Sequence, residues 1–340
     1  MNLYNKPNII TFAVMKQKVK RKKKPYKMQK ITVIGAGNVG ATCANVIAHK
    51  DLAKEVVLLD VKEGIAEGKA LDIWQTAAIN HFNTRVTGVT NDYLKTKGSG
   101  IIVITSGIPR KPGMSRDDLI KTNANIVKDV TEKAIKYSPD AIIIVVSNPL
   151  DVMTYAAYKA SNKSSKKVFG MAGTLDTGRY RAFIANALHV TPIDIHAMLL
   201  GGHGDTMVPL PRYTSINGIP ITQLLGKDEI DKIVERTKKG GGELVNLMGT
   251  SAWYAPGAAA AQLVEAIVDD QKKIVPLCAY LSGEYGLKDV FLGVPVKLGK
   301  DGIEEIIEID LDKDEKKLLE TSANSVKSVM KVLDDMNLFD

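Results

Sequence analysis

The stretch from Lys30 to Asp60, KITVIGAGNVGATCANVIAHKDLAKEVVLLD, constrains the fold more than any other part of the chain. It begins with a short β-branched apolar run, residues 30–34, of the kind that forms a strand buried on both faces. Gly35, Gly37 and Gly40 follow at once, and an apolar helical pattern continues through Ala41, Ala44, Ile47 and Ala48. A second apolar run, residues 56–59, ends in Asp60. Each residue type has a task in a turn that must approach a diphosphate. Gly35 permits the tight strand-to-helix turn, Gly37 lets backbone come close to phosphate, and Gly40 lets helix pack on strand. The helix N-terminus offers unpaired N–H groups and the positive end of its dipole, with Ala36, Asn38 and Val39 completing the loop. Asp60 stands 20 residues past Gly40, where a carboxylate accepts hydrogen bonds from adenosine ribose hydroxyls. Glycine-rich turns are common, but strand, glycines, helix, second strand and acid in register imply a dinucleotide site. A carboxylate at Asp60 repels a 2′-phosphate, which selects NAD over NADP.

Charge narrows the partners. The net charge of +8 is misleading, because residues 1–30 hold ten Lys or Arg and no acid, so residues 31–340 carry a net −2. A case for nucleic-acid binding would rest on the tail alone. At 340 residues, 45% hydrophobic and 25% charged, the chain suits one large or two medium soluble domains. Cys43 and Cys278 stand far apart and form neither a disulfide framework nor a metal-ligand cluster; buried thiols in a reducing cytoplasm are the expectation. No apolar run is long enough to span a membrane. An apolar run at 9–15 precedes the basic cluster 16–24, the reverse of a secretory signal, and a lysine run is not a mitochondrial presequence. Residues 1–27 are expected to be a disordered basic extension, with Met28 as a candidate start.

After Asp60 the pattern predicts a helix over 63–79 and strands over 85–89, 101–105 and 141–146, with a long helix over 115–137. Ser115 is a plausible N-cap, and Asp117 and Asp118 suit the first turn. Alternating strands and helices imply an α/β fold, a doubly wound parallel sheet with right-handed crossovers. Ligands then bind beyond the carboxyl ends of the strands. Beyond 170–174 the pattern changes to an α+β second domain. It predicts helices over 175–188, 228–247, 258–270 and 312–337, and a strand over 194–200. Asn217-Gly218 marks a hairpin, and antiparallel strands over 274–309 turn at Lys300-Asp301-Gly302. The expected division is 28–171 and 172–340.

Four segments hold polar clusters that strands and helices do not need for themselves. The connection 105–123, TSGIPRKPGMSRDDLIKTN, is long and irregular, and long loops in compact domains tend to be lids; it carries Arg110 and Arg116, which alone would read as solvated surface arginines. Ser147-Asn148-Pro149 ends a buried strand, as a ligand-facing amide or a simple cap. Asp176 and Arg179 share one helix face, where a surface ion pair is the default. Gly201-Gly202-His203-Gly204-Asp205 leaves an imidazole accessible among glycines. The remaining histidines, His49, His81, His189 and His196, have no such setting.

Taken together, ITVIGAGNVG, TSGIPRKPGMSRDDL, VVSNPLD, GTLDTGRYR and GGHGD make residues 28–337 resemble the L-lactate/L-malate dehydrogenase family, and within it the lactate-dehydrogenase-like malate dehydrogenases of bacteria. The resemblance implies a Rossmann domain followed by an α+β catalytic domain, with NAD as cofactor and a homodimer or homotetramer as the assembly. His203 would accept the hydroxyl proton of a 2-hydroxy acid, and Asp176 would hold its other ring nitrogen. Arg179 would clamp the C1 carboxylate, Asn148 would bond to the reacting oxygen, and Arg116 would descend with the lid. Asn123 and Val146, Ser147 and Asn148 would line the nicotinamide side. Arg110 would pair with a second carboxylate, where a lactate enzyme carries a neutral residue; Gly202 agrees with the malate group. The substrate implied is the dicarboxylate malate or oxaloacetate. L-lactate dehydrogenase is the nearest rival, and a nicotinamide-binding module using its basic tail on RNA is the rival of another class.

Overall fold

The computed structural model describes residues 26–109 and 113–339. The apolar runs form the strands β1 (Lys30–Ile34), β2 (Glu55–Asp60), β3 (Arg85–Thr90), β4 (Ile101–Ile104) and β5 (Ile142–Val145). A sixth strand, β6 (Val168–Gly170), is too short to stand out in the sequence. All six pair in parallel, in the order β3-β2-β1-β4-β5-β6, with Val33 of β1 between Leu58 and Val103. Every residue of β4 and β5 is buried, which requires cover on both faces of the sheet. The cover comes from α1 (Asn38–His49), α2 (Ile65–Gln75), α3 (Ala77–Asn80), α4 (Arg116–Tyr137) and α5 (Leu150–Ser161). The helix expected over 63–79 is two pieces. Gly64 is left-handed before α2, and the Thr76 hydroxyl donates to the Ile73 carbonyl at 2.8 Å where α2 ends.

Helix α4 begins where its cap predicts. The Ser115 hydroxyl accepts from the Asp118 amide at 3.0 Å, and the Asp118 carboxylate accepts from the Ser115 amide at 3.1 Å. This capping box fixes the C-terminal end of the 105–115 connection. Ser115→Ala is expected to destabilise the protein by about 1 kcal/mol, read as a lower denaturant midpoint at unchanged slope.

The second half starts with α6 (Gly173–Leu188). The strand expected over 194–200 is broken into β7 (Ile195–His196) and β8 (Leu199–Leu200), because the chain passes between two small sheets there. Strand β8 pairs with β9 (Val208–Pro209), while β7 pairs with β10 (Ser215–Ile216), which turns through left-handed Asn217 and Gly218 into β11 (Ile219–Pro220). After the single turn α7 (Ile221–Leu224) come α8 (Lys227–Met248) and α9 (Tyr254–Val268), then β12 (Lys273–Ser282), β13 (Lys288–Gly299), β14 (Gly302–Ile306) and α10 (Lys313–Asp334). Strands β12–β14 are antiparallel and join the parallel sheet through one residue pair, Cys278 opposite Gly170, giving nine strands. A Cβ on Gly170 would lie 2.4 Å from Thr154 Oγ1 and 3.0 Å from Cys278 Cβ, so the junction closes only on glycine. Both cysteines are buried and unpaired, and burial pushes the Cys43 thiol up to about 12. Of the basic extension, residues 1–25 lie outside the described residues; Lys27 pairs with Asp269 at 2.9 Å. No described helix is long and apolar enough to cross a membrane.

Candidate active site

The strand order reverses between β1 and β4, and the loops that leave the two strands part at that point. The three fingerprint glycines divide the work. Gly35 has φ +104°, and a Cβ there would lie 2.7 Å from Thr105 Oγ1, whose hydroxyl donates to the Gly35 carbonyl. A Cβ on Gly40 would lie 1.9 Å from the Gly35 carbonyl oxygen. Gly37 has open space around it, as a position reserved for phosphate requires. Helix α1 starts at Asn38 with no side-chain cap and no acid in its first turn, so its leading amides are left for an anion. The residues present therefore fit a dinucleotide.

Asp60, at the end of β2, accepts the Ala36 amide at 2.6 Å and the Lys62 amide at 2.9 Å, which fixes its carboxylate beside the glycine loop. From α2, Lys69 donates to the Ala36 carbonyl at 2.8 Å, so the Ala36 peptide is held at both ends. Sequence reading missed Lys69, since a lysine on an exposed helix has no motif of its own.

A cavity of about 250 Å³ is lined by Val39, Val146, Asn148, Arg179 and His203. Its far wall comes from Val245, Ser251, Ala252 and Pro256, which the sequence did not mark. One signal was there. Gly240, Gly241 and Gly242 stand in succession inside α8, at a helix cost of about 1 kcal/mol each relative to Ala. Cβ atoms on Gly240 and Gly241 would lie 3.4 Å and 3.9 Å from Arg179, ordinary contact distances, so this glycine run marks where α8 packs beside the arginine.

Asn123 and Ser147 shape the crevice through backbone. The Asn123 amide accepts from the Ile108 amide at 2.8 Å and donates to the carbonyls of Ile108 and Asn148 at 3.1 and 2.7 Å. The Ser147 hydroxyl donates to the Ser106 carbonyl at 2.5 Å. In this geometry both residues act on the site through the loops they hold, while Val146 and Asn148 face the cavity directly.

The chemistry gathers at Asp176. Its carboxylate, 3% exposed, sits 2.8 Å from His203 Nδ1 and 3.3 Å from Arg179 Nη1. What reads as a surface ion pair in sequence is thus a buried triad with the glycine-flanked histidine. An Nδ1–H donating to Asp176 leaves Nε2 to exchange a proton at the cavity. Arg179 Nε is buried with no partner among the described residues, so the guanidinium keeps donors unused at the cavity wall. Burial works most strongly against the protonated ring of His203. The charge and hydrogen bond of Asp176, with the charge of Asp151, outweigh it even against Arg179, and the imidazole is raised above its ordinary value. Asp151, in the first turn of α5, was also missed; it accepts from the His203 amide at 3.0 Å. Arg116 is exposed at the start of α4 and is not among the cavity-lining residues, and Arg110 lies outside the described residues.

Comparison with known proteins places this geometry. The family models for the lactate/malate dehydrogenase NAD-binding domain and for the lactate/malate dehydrogenase alpha/beta C-terminal domain match residues 29–170 and 173–336. The chain belongs to the lactate/malate dehydrogenase family. This family member is 66% identical over 307 residues to the malate dehydrogenase of Cytophaga hutchinsonii, covering 90% of this chain and 98% of that one. Among solved structures it is similar to malate dehydrogenase from Salinibacter ruber, with a TM-score of 0.88, 58% identity and coverage of 91% and 99%. It is also similar to the lactate dehydrogenase of Cryptosporidium parvum complexed with lactic acid and NAD, with a TM-score of 0.86, 41% identity and coverage of 90% and 98%. Backbone shape therefore does not separate the two substrates; side chains must.

Proposed function

We propose that this protein is an NAD-dependent malate dehydrogenase, interconverting (S)-malate and oxaloacetate within the tricarboxylic acid cycle of the cytoplasm. The observation that carries the reading is Asp176 held between His203 and Arg179 at one cavity. NAD, when bound, supplies the acceptor for the C2 hydride. His203 takes the hydroxyl proton, and Asp176 orients the ring and stabilises the imidazolium as a buried carboxylate does in a triad. Arg179 meets the C1 carboxylate with its planar fork, and Asn148 bonds to the reacting oxygen. Arg110 would pair with the C4 carboxylate, and Arg116, exposed at the start of α4, would have to move inward to reach the carbonyl being reduced. Gly35 to Gly40 and Asp60 would hold the cofactor, with Val146 and Asn148 at the nicotinamide side and Asn123 and Ser147 fixing the loops around it.

Residues 28–171 would form the nucleotide domain and 172–340 the catalytic one. Two free buried thiols suit a reducing compartment. A homodimer or homotetramer, the assembly the family resemblance implies, would be read from the mass of the native protein in solution. Oxaloacetate and pyruvate assayed side by side with NADH and NADPH test the proposal. Oxaloacetate with NADH is expected to win over pyruvate by roughly one and a half to three and a half decades in kcat/KM. Equal rates on the two acids would overturn it.

A further inference from the structure

The loop that carries His203 is anchored at three successive residues. Gly201 exchanges backbone hydrogen bonds with Gly293 of β13, at 2.9 and 3.1 Å. The Gly202 amide donates to Ser322 Oγ of α10 at 2.8 Å, and the His203 amide donates to Asp151 Oδ2 of α5 at 3.0 Å. Ser322 is 1% exposed and Asp151 is 7% exposed, so both anchors are interior. A hydroxyl suffices at Gly202. At His203 the fold uses a carboxylate, whose burial costs far more.

Burial raises the Asp151 carboxyl above its ordinary value, with the charge of Asp176 adding to the rise, and what favours its charged form is, in order, the Cys278 thiol, the charge of His203 and the His203 amide. Asp151 Oδ1 has no hydrogen-bond partner of ordinary geometry among the described residues. The Cys278 thiol of β12 faces the carboxylate, and burial and then the Asp151 charge hold it well above the usual thiol range. The cation that faces Asp151 is His203. Gly202 lets the acid come close, since a Cβ there would lie 3.2 Å from Asp151 Oδ2 and 2.8 Å from Val326 Cγ2.

We propose that Asp151 is a positioning residue for His203: it fixes the loop through the His203 amide and sets the imidazole's proton affinity with a second negative charge. The inference rests on the reading of His203 as proton acceptor. The groups facing the ring are Asp176 and Arg179 from α6 and Asp151 from α5, with the Cys278 thiol of β12 behind Asp151, while α10 presents uncharged Ser322 to the loop. Asp176 alone orients Nδ1; Asp151 touches the backbone and acts through charge.

The test compares Asp151→Asn and Asp151→Ser with Ser322→Ala in the full-length protein. Asp151→Asn keeps an acceptor for the His203 amide and loses the charge, while Asp151→Ser loses the charge and shortens the reach to that amide. The pH profile of kcat/KM for malate oxidation and the NMR titration of His203 are read together. In either Asp151 variant the limb and the titration are expected to move about one unit to lower pH, a tenfold loss of proton affinity. Ser322→Ala, which loosens the same loop without changing charge, is expected to lower kcat with the limb in place. If the limb stays put in a folded Asp151 variant, Asp151 is a loop anchor only and the proposal is overturned. If instead the wild-type limb does not follow the His203 titration, the assignment of His203 itself has failed, which is a different result.

Discussion

Replacing His203 by Gln is expected to lower kcat for malate oxidation by about 10²–10⁴-fold, with NADH affinity unchanged. The glutamine amide overlays the Nε2 edge of the ring and not Nδ1, so Asp176 is left with Arg179 as its partner. The amide has no nitrogen that gains a proton near neutral pH, so the hydroxyl proton has nowhere to go while hydride leaves C2. The cofactor loop at Gly35–Gly40 and the anchored Asp60 are untouched, and NADH binding by fluorescence titration serves as the control. Direction of reaction gives a further check on the same group. His203 is raised above its ordinary value, so the imidazolium persists to higher pH than in a free histidine. Oxidation needs the neutral ring and therefore rises as pH rises through that value. Reduction of oxaloacetate needs the imidazolium and falls over the same range. A Gln variant with wild-type turnover and both limbs intact would remove His203 from the mechanism.

How far the sequence foretold this depends on whether the signal was local. Strands β1, β4 and β5 were legible because a parallel strand covered on both faces must be apolar throughout. The start of α4 was legible because Ser115 and Asp118 satisfy each other's amides within one turn. By contrast, Cys278 opposite Gly170 joins residues more than a hundred positions apart, and nothing local announces that the antiparallel strands extend the nucleotide-binding sheet. The broken strand at β7 and β8 was hidden for the same reason, since its two halves answer to different partners. Within the site, Asp176, Arg179 and His203 were identified through their combined resemblance to a family. Asp151 and Lys69 escaped because an acid in a first helical turn and a lysine on a helix both have ordinary explanations. Their roles show only in what their side chains reach: the His203 amide and the Ala36 carbonyl.

The discrimination between a diacid and a monoacid is the second large effect, and Arg110→Gln is expected to narrow it by one and a half to three and a half decades. Arg179 is the one arginine that the described residues place at the cavity, and one guanidinium answers one carboxylate. A C4 carboxylate drawn into the same closed site needs a second cation. The described ends of the connection are held at Ile108 by the Asn123 amide and at Ser115 by the capping box, and in sequence Arg110 follows Ile108 by two residues. Pyruvate would leave that guanidinium unpaired and desolvated, whereas oxaloacetate neutralises it. Losing such a pair costs about 2–5 kcal/mol, which gives the span stated. The loss should fall on kcat/KM for oxaloacetate, with pyruvate unchanged or improved and the His203 pH limbs in place. Arg110→Lys retains a cation but not the fork, and should keep part of the preference. If Arg110→Gln left the oxaloacetate-to-pyruvate ratio untouched, the second carboxylate would have to be read by another cation, and Arg116 in the first turn of α4 would be the next residue to replace.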